Sequence, residues 1–225
     1  MKGGLSEVMQ LPRVKADLLA IKVIPNVDSS LAKKFNLKNE QRSIGMFTLN
    51  IDDIGYTALD EATKYADIDV VYAKSFYAGS NHASGPLSGE FIGMIAGATP
   101  EQVRSGLEAV ETIVDSGAYF EALNEDASHV LYAHVVSRTG SYLSSLADVA
   151  EGDALAYLIA PPLESIYGLD AALKAADVEI KVLFEPPTET NFGGGLLTGS
   201  QSACQAAADA FRDTIVELVK NPLRY

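Results

Sequence analysis

Few side chains in this sequence are of the types that carry catalysis, and their spacing assembles no catalytic set. The three histidines are His82, His129 and His134, and the single cysteine is Cys204. His129 and His134 stand an odd number of positions apart in an alternating segment, so we predict that they point to opposite faces of a strand. We therefore predict no Ser/His/Asp or Cys/His set, no metal site and no cofactor, although His82 in a loop could hold an ion weakly. A single cysteine also excludes an intramolecular disulfide.

The adjacent acids Asp52 and Asp53 are the most informative polar residues. They follow an apolar run that is typical of a strand, so we expect them at a sheet edge or at the mouth of a cleft. Carboxylates in such a place are usually just solvated. They could instead hold an ammonium group if another acid and an aromatic face lay nearby. Glu90 and Phe120 are candidate companions, although spacing alone does not bring them together.

Two glycine-containing stretches could bind an anion at the start of a helix. Residues 192–201 (FGGGLLTGSQ) place three glycines before a predicted helix, and residues 137–141 (SRTGS) place an arginine there. Backbone N–H groups at a helix N-terminus attract anions. The first stretch lacks the lysine of a phosphate-binding loop and the spacing of a dinucleotide-binding loop. An ordinary glycine loop or turn followed by a capped helix is the favoured reading of both.

Composition limits the classes of protein that this chain can belong to. It has 225 residues, 48% of them hydrophobic, and a formal net charge of −13. Such acidity argues against a nucleic-acid partner, because phosphate binding needs clustered lysine and arginine. No apolar run reaches the ~18 residues of a membrane span, and the N-terminus lacks the pattern of a secretory signal. We expect a cytoplasmic protein that does not act at a membrane.

The elements that must position these residues are organised as a duplication. Residues 59–69 (LDEATKYADID) recur as residues 169–179 (LDAALKAADVE), at an offset of 110. Upstream, Ser29 and Leu31 match Ser141 and Leu143 at an offset of 112. Self-similarity at a fixed spacing indicates two copies of one structural unit. We predict a lead-in over residues 1–15 and two domains, residues 16–126 and 127–225.

Each half is predicted to run strand–helix–strand–helix–strand–strand–helix. Strands that follow one another across a loop pair antiparallel, so the predicted class is α+β rather than a doubly wound parallel sheet. Thr99, Pro100 and Gln102 predict one helix start, and Ser200 predicts another. Thr57 is predicted to cap the helix that ends near Ala66. Residues 77–88 and 185–195 are predicted to be loops.

At this point the sequence resembles a known family, the L-type shell proteins of the ethanolamine-utilisation bacterial microcompartment. The resemblance extends over about residues 14–222. The segments that carry it are 43–45 (SIG), 52–53 (DD), 56–64 (YTALDEATK), 75–79 (SFYAG), 135–144 (VVSRTGSYLS), 160–164 (APPLE), 186–192 (PPTETNF) and 197–204 (LTGSQSAC).

The resemblance implies a structural protein rather than an enzyme. It implies two tandem, circularly permuted microcompartment domains, each a mostly antiparallel sheet flanked by helices. Three chains would form a homotrimer with the outline of a hexamer. That trimer would tile with other shell proteins into the shell of a microcompartment in the cytoplasm.

The resemblance also implies two kinds of pore. The small pores of the family bind ethanolamine, and the matching positions are Asp52, Asp53, Glu90 and Phe120. The central pore is gated by the loops after the third strand of each half. The gate positions are Ser75, Phe76, Tyr77, Ala78, Gly79, Thr188, Glu189, Thr190, Asn191 and Phe192. The alternatives are a small-molecule-binding sensor that does not tile, and an enzyme with a cleft between the halves.

Overall fold

The computed structural model describes residues 12–77 and 84–223. The strands are β1 (Arg13–Val14), β2 (Leu18–Ile24), β3 (Ser43–Leu49), β4 (Asp69–Ser75), β5 (Phe91–Gly97), β6 (Phe120–Ala122), β7 (Val130–Val136), β8 (Ala154–Ala160), β9 (Val178–Phe184) and β10 (Gly193–Gly199). The helices are α1 (Ser29–Lys34), α2 (Asp52–Tyr65), α3 (Pro100–Thr112), α4 (Ser141–Ala147), α5 (Pro162–Ala175) and α6 (Gln201–Lys220), and a π-helical turn, Ile113–Gly117, follows α3.

The two halves form two antiparallel sheets with the same strand order. The first sheet runs β2-β3-β5-β4, and the second contains β7-β8-β10-β9. The second sheet is extended at its β7 edge by β6 and then by β1, with Val14 opposite Phe120. The predicted α+β duplication is therefore confirmed. The lead-in is not wholly loose, because Arg13–Val14 forms an edge strand on the sheet of the second half.

Helix and strand lengths repeat along with the order. β2 and β7 each have seven residues, and α2 and α5 each have 14. β2 and β7 are each an apolar run bounded by polar or turn residues, which is the pattern that predicts a strand. The predicted helix starts at Thr99 and Ser200 are confirmed as well. The Thr99 hydroxyl accepts from the Gln102 N–H, and the Gln102 side chain accepts from the Thr99 N–H, which is a complete capping box.

The largest apolar core crosses the boundary between the halves. It joins Ile54 and Leu59 of α2 and Phe91 of β5 to Tyr132 of β7 and Tyr157 of β8. A second core lies under α6, where Cys204 and Phe211 face β8. Burial of apolar side chains is the main favourable contribution to folding, so the two halves form one cooperative body.

The prediction for the start of α2 is wrong. We expected Thr57 as the N-cap, but the N-cap is Ile51 and the helix begins at Asp52, six residues earlier than predicted. The Thr57 hydroxyl instead donates to the backbone carbonyl of Asp53, at 3.1 Å. Asp52 and Asp53 occupy the first turn, where the partial positive charge of the helix dipole favours carboxylates. The two acids are thus not residues of a sheet edge that are open to solvent.

The glycine stretch is a strand, not a loop or a phosphate cradle. Gly193–Gly199 forms β10, which is paired on one side with β8 and on the other with β9. A Cβ on Gly194 would lie 1.9 Å from the carbonyl oxygen of Leu158. Glycine is required there because the neighbouring backbone approaches so closely. The loop between β9 and β10 is correspondingly shorter than the predicted 185–195.

Candidate functional site

A cavity of about 300 Å³ lies between the two halves, near the start of α2. The first half contributes four polar or aromatic side chains, those of Asp52, Asp53, Tyr56 and Ser75. The second half contributes aromatic and apolar residues and the end of the β9–β10 loop. These residues are Tyr142, Leu146, Tyr157, Ile159, Phe184, Thr188, Glu189, Thr190 and Phe192. The cavity therefore exists only when both halves are docked.

Asp52 is buried in the wall of this cavity and is held from both halves. Its Oδ1 accepts the backbone N–H of Asp53 at 3.0 Å, and its Oδ2 accepts the hydroxyl of Thr190 at 3.4 Å. Burial raises the pKa of the Asp52 carboxyl, while hydrogen bonds, above all the one to Ser75, oppose that rise. The carboxylate is thus costly to keep charged without a cation.

Asp53 is more strongly perturbed than its neighbour. The hydroxyl of Tyr157, on β8, donates to Asp53 Oδ1 at 2.6 Å. Burial raises the pKa of Asp53 well above its usual range, and the negative charge of Asp52 raises it further. Two adjacent buried acids repel each other when both are charged. A bound cation would relieve that repulsion, so this wall of the cavity suits a small positively charged group.

Glu90 and Phe120 lie beside the cavity rather than in its lining. Burial and the charge of Asp52 raise the pKa of Glu90, so this third carboxyl is within electrostatic reach of the pair. Phe120, on β6, stacks on Tyr132 with ring centroids 4.9 Å apart and meets the edge of Phe192 at 6.0 Å. Phe120 therefore supports Phe192, which itself lines the cavity.

The predicted gate positions divide between the cavity and the surface. Ser75, Thr188, Glu189, Thr190 and Phe192 line the cavity that contains the acid pair. The remaining gate positions are elsewhere. Asn191 has a φ of 68°, at a turn of the chain. The Phe76 N–H donates to the carbonyl of Glu90. Tyr77 is exposed to solvent. Ala78 and Gly79 lie outside the described residues, as does His82.

Three tyrosines of the cavity were missed by the sequence reasoning. Tyr56 bonds Ser75 at 2.5 Å and stacks on Tyr142 with centroids 6.3 Å apart, and Tyr157 bonds Asp53. A signal for Tyr157 is present in the sequence, because it is the one hydroxyl in an otherwise apolar strand. A buried tyrosine hydroxyl nearly always requires a polar partner.

The two histidines and the cysteine in the described part of the chain lie outside the cavity lining and pack against other side chains. His134 stacks on Tyr132, and burial lowers the pKa of His134 to about 4. His129 Nε2 lies 3.2 Å from Glu164 Oε1, so the two histidines have different neighbours. Cys204, on α6, is buried. Within residues 12–77 and 84–223, no group of three or more potential ligands is close enough to hold a metal ion, and no helix is long and apolar enough to cross a bilayer.

The second candidate anion site is already filled by a side chain of the other half. The Asp60 carboxylate accepts the N–H of Gly140 at 2.9 Å and that of Leu143 at 2.8 Å. The Thr63 hydroxyl accepts the N–H of Ser141 at 3.0 Å. The segment 137–141 therefore uses its backbone donors to bind α2 to α4, and the hypothesis of a free anion there is wrong.

Comparison with known proteins agrees with this architecture. The model of the BMC domain family matches residues 43–138, from the start of β3 to just past β7. The bacterial microcompartment shell protein EutL of Clostridium perfringens is 56% identical over 212 residues, 94% of this chain and 98% of that protein. EutL of Escherichia coli is 45% identical over 95% of this chain and 98% of that protein. The crystal structure of the ethanolamine utilization protein EutL from Leptotrichia buccalis superposes with a TM-score of 0.93 at 55% identity, over 96% of this chain and 100% of that one.

These findings first define a class, the shell proteins built from two tandem microcompartment domains. Within that class the chain belongs to the EutL family of bacterial microcompartment shell proteins. It is a structural component of the shell of a microcompartment rather than an enzyme. The resemblance in the sequence motifs is thereby confirmed.

Proposed function

We propose that three copies of this chain form one shell tile with a gated central pore, and that the acid-lined cavity binds ethanolamine. Docking of the two halves brings three acidic residues, three tyrosines and two threonines to one small cavity in each chain. That cavity is the observation that carries the proposal. A tile with three chains would have three such sites.

The chemistry of the cavity matches a protonated amino alcohol. The ammonium group would lie against Asp52 and Asp53, where its charge offsets the repulsion between the two carboxylates. The hydroxyl group would lie within reach of Thr190 or Ser75, each of which can donate and accept a hydrogen bond. Glu90 adds negative potential, and Phe120 positions Phe192 from behind.

We assign the central gate to the loops that follow β4 and β9. The support is that the first loop begins at the cavity, where β4 ends at Ser75, and that Thr188 and Thr190 of the second loop line the cavity. Loops that open and close a site commonly carry glycine and proline. Residues 77–88 contain both residue types, and residues 185–192 contain proline. The positions of these two loops would then determine whether the central pore is open or closed.

The alternatives use the same cavity in other ways. A sensor that does not tile would bind the amine and remain dispersed. An enzyme acting between the halves would need a nucleophile or a general base beside the bound molecule. The histidines and the cysteine in the described part of the chain do not line the cavity, and the chain belongs to a family of shell proteins rather than enzymes, so only the sensor remains as an alternative.

The experiment is calorimetry of ethanolamine with the double variant Asp52→Asn/Asp53→Asn. Hydrogen bonds to charged groups contribute about 1.5–3 kcal/mol each. Loss of the carboxylates is therefore expected to weaken affinity by at least about tenfold. Light scattering on the same samples is expected to give the mass of a trimer for both proteins.

The matched control is Asp67→Asn/Asp177→Asn, which makes the same change in charge at two exposed positions. This control is expected to bind ethanolamine as the wild type does. Unchanged affinity in the Asp52/Asp53 variant would remove the cavity as the amine site. A monomer that binds the amine normally would favour the sensor instead.

A further inference from the structure

The amine cavity is lined by another acidic residue, Glu189, which the assignment to ethanolamine does not use. Glu189 lies on the loop between β9 and β10, so it belongs to the second half, whereas Asp52 and Asp53 belong to the first. The two aspartates are buried, at 7% and 6% exposure, but Glu189 is exposed. The pair therefore lies in the inner wall of the cavity, and Glu189 lies where the cavity opens to solvent.

The cavity has no positive charge of its own. None of the residues that line it is a lysine, an arginine or a histidine. Among the described residues, none forms a hydrogen bond or an ion pair with the side chain of Glu189. Complementary charges are what give a polar site its specificity, and here the positive charges must come from the ligand.

Glu189 and the acid pair do not converge on a single point. Within residues 12–77 and 84–223, no group of three histidine, cysteine, aspartate or glutamate residues is close enough to hold a metal ion. The three acids of the cavity therefore do not surround one cation. They provide two separate negative positions, one at the pair and one at the opening. A ligand with two positive charges held apart satisfies both positions.

An apolar surface connects the acid pair with the loop that carries Glu189. The Tyr157 hydroxyl donates to Asp53, and the ring of Tyr157 lies 5.9 Å, centroid to centroid, from that of Phe184. Phe184 is the last residue of β9, directly before the loop. In the sheet, Gly194 separates Phe184 from Ile159, and both of these apolar side chains line the cavity. Such a wall favours methylene groups in a ligand.

The cavity is also larger than ethanolamine requires. Its volume of about 300 Å³ is at the lower end of the range found for sites that enclose drug-sized ligands. A molecule as small as ethanolamine, bound at the acid pair, fills only part of this volume. The remainder includes the apolar wall and the position of Glu189.

We propose that the cavity also binds linear diamines, with an ammonium group at each end of the acid-lined space. One ammonium group lies against Asp52 and Asp53, and the other lies beside Glu189. The methylene chain between them runs along the rings of Tyr157 and Phe184. This inference rests on the proposed amine site and extends its ligand class from amino alcohols to diamines.

The test is calorimetry of the full-length protein with a matched pair of ligands. Putrescine has an ammonium group at each end of a butane chain, and butylamine has the same chain with one ammonium group. Because Glu189 is exposed, its ion pair is expected to make putrescine bind about two- to fivefold more tightly than butylamine. Added salt is expected to reduce this ratio, because it screens exposed charges. Excess ethanolamine is expected to weaken putrescine binding, because both ligands occupy the acid pair.

Two variants assign the second charge to one residue. Glu189→Gln is expected to lower the affinity for putrescine more than that for butylamine, so that the ratio of the two affinities falls to about one. Glu185→Gln is the matched control, because Glu185 is an exposed acid of the same loop that does not line the cavity. This control is expected to keep the wild-type ratio.

The outcomes separate this inference from the proposed function. Equal affinities of the wild type for putrescine and butylamine, or a preference for putrescine that persists in Glu189→Gln, would overturn the inference. Neither result would affect ethanolamine binding at the acid pair. A wild-type protein that binds none of the three amines would overturn both the inference and the ethanolamine site.

Discussion

At the scale of single residues, the acid pair of the cavity is held in an unfavourable electrostatic state. Asp53 is buried beside Asp52, and both carboxyls have raised pKa values because burial disfavours their charged forms. The Tyr157 hydroxyl partly offsets this by donating to Asp53. A site with such strain binds a cation more tightly than solvated acids do, because the cation restores a favourable environment for the charges.

We expect ethanolamine affinity to rise with pH and binding to release protons. Below the raised pKa values the carboxyls are protonated, and the ammonium ion must displace those protons before it pairs with the carboxylates. Affinity is therefore low below the raised pKa values, rises with pH through them and levels off above them. Calorimetry in two buffers with different heats of ionisation measures the number of protons released.

Tyr157→Phe tests this pH dependence of ethanolamine affinity. It removes one hydroxyl from the wall of the cavity and with it the hydrogen bond that favours ionised Asp53. The rise in affinity is expected to move to higher pH. An affinity that is independent of pH, with no protons released by the wild type, would contradict the role given to the pair.

At the scale of elements, one helix design is used twice with different outer surfaces. α2 uses its outer face for the acid pair and for the clamp to α4, whereas α5 carries Pro162 and Leu163 where α2 carries Asp52 and Asp53. The acid site therefore belongs to the first half alone. The close approach of α2 to α4 depends on Gly140, which has no side chain to separate the two elements.

Gly140→Ala is expected to destabilise the docking of the two halves. The added methyl group would meet the Thr63 hydroxyl and the Asp60 carbonyl, and overpacking of this kind costs about 1–3 kcal/mol. The midpoint of urea unfolding, measured at a fixed protein concentration, is the readout. Gly85→Ala is the control, because a Cβ there meets nothing within 4 Å. Equal midpoints for the two variants would mean that the contact is not tight in solution.

At the scale of the whole molecule, the cavity and the proposed gate share residues. The residues that line the cavity and were also predicted as gate positions are Ser75, Thr188, Glu189, Thr190 and Phe192. Asp60, which clamps α2 to α4 on the other side of the helix, keeps the halves in the orientation that forms the cavity. One rigid junction thus supports both proposed activities of the tile.

A deletion within residues 77–88 is expected to open the central pore of the assembled tile. If this loop is the gate, a shortened loop no longer closes the pore, and a crystal structure of the variant trimer is the measurement. The deletion is designed to leave Ser75 and Gly89 in place, because Gly89 has a φ of 63° and closely approaches Leu49. Ethanolamine affinity is the internal control and is expected to be retained. A pore that remains closed would show that another segment gates it.

The sequence by itself determined the duplication, the order of the repeated elements and the family, but not the edge strands β1 and β6. Local signals suffice for these, because an apolar run such as Leu18–Ile24 or a capping box such as Thr99–Gln102 acts over a few residues. The proposal that the acid pair binds an ammonium group was also drawn from the sequence, from the adjacency of Asp52 and Asp53 and from the resemblance.

Only the tertiary structure decided where those elements meet. Asp52 starts a helix, Gly193–Gly195 pairs as a strand, and Asp60 fills the anion site of the other half, each because a partner more than 30 residues away in the chain supplies the deciding contact. Likewise Tyr157 reaches Asp53 across 104 residues. Contacts of that range depend on how the two halves dock, and periodicity and spacing along one chain contain no information on the docking geometry.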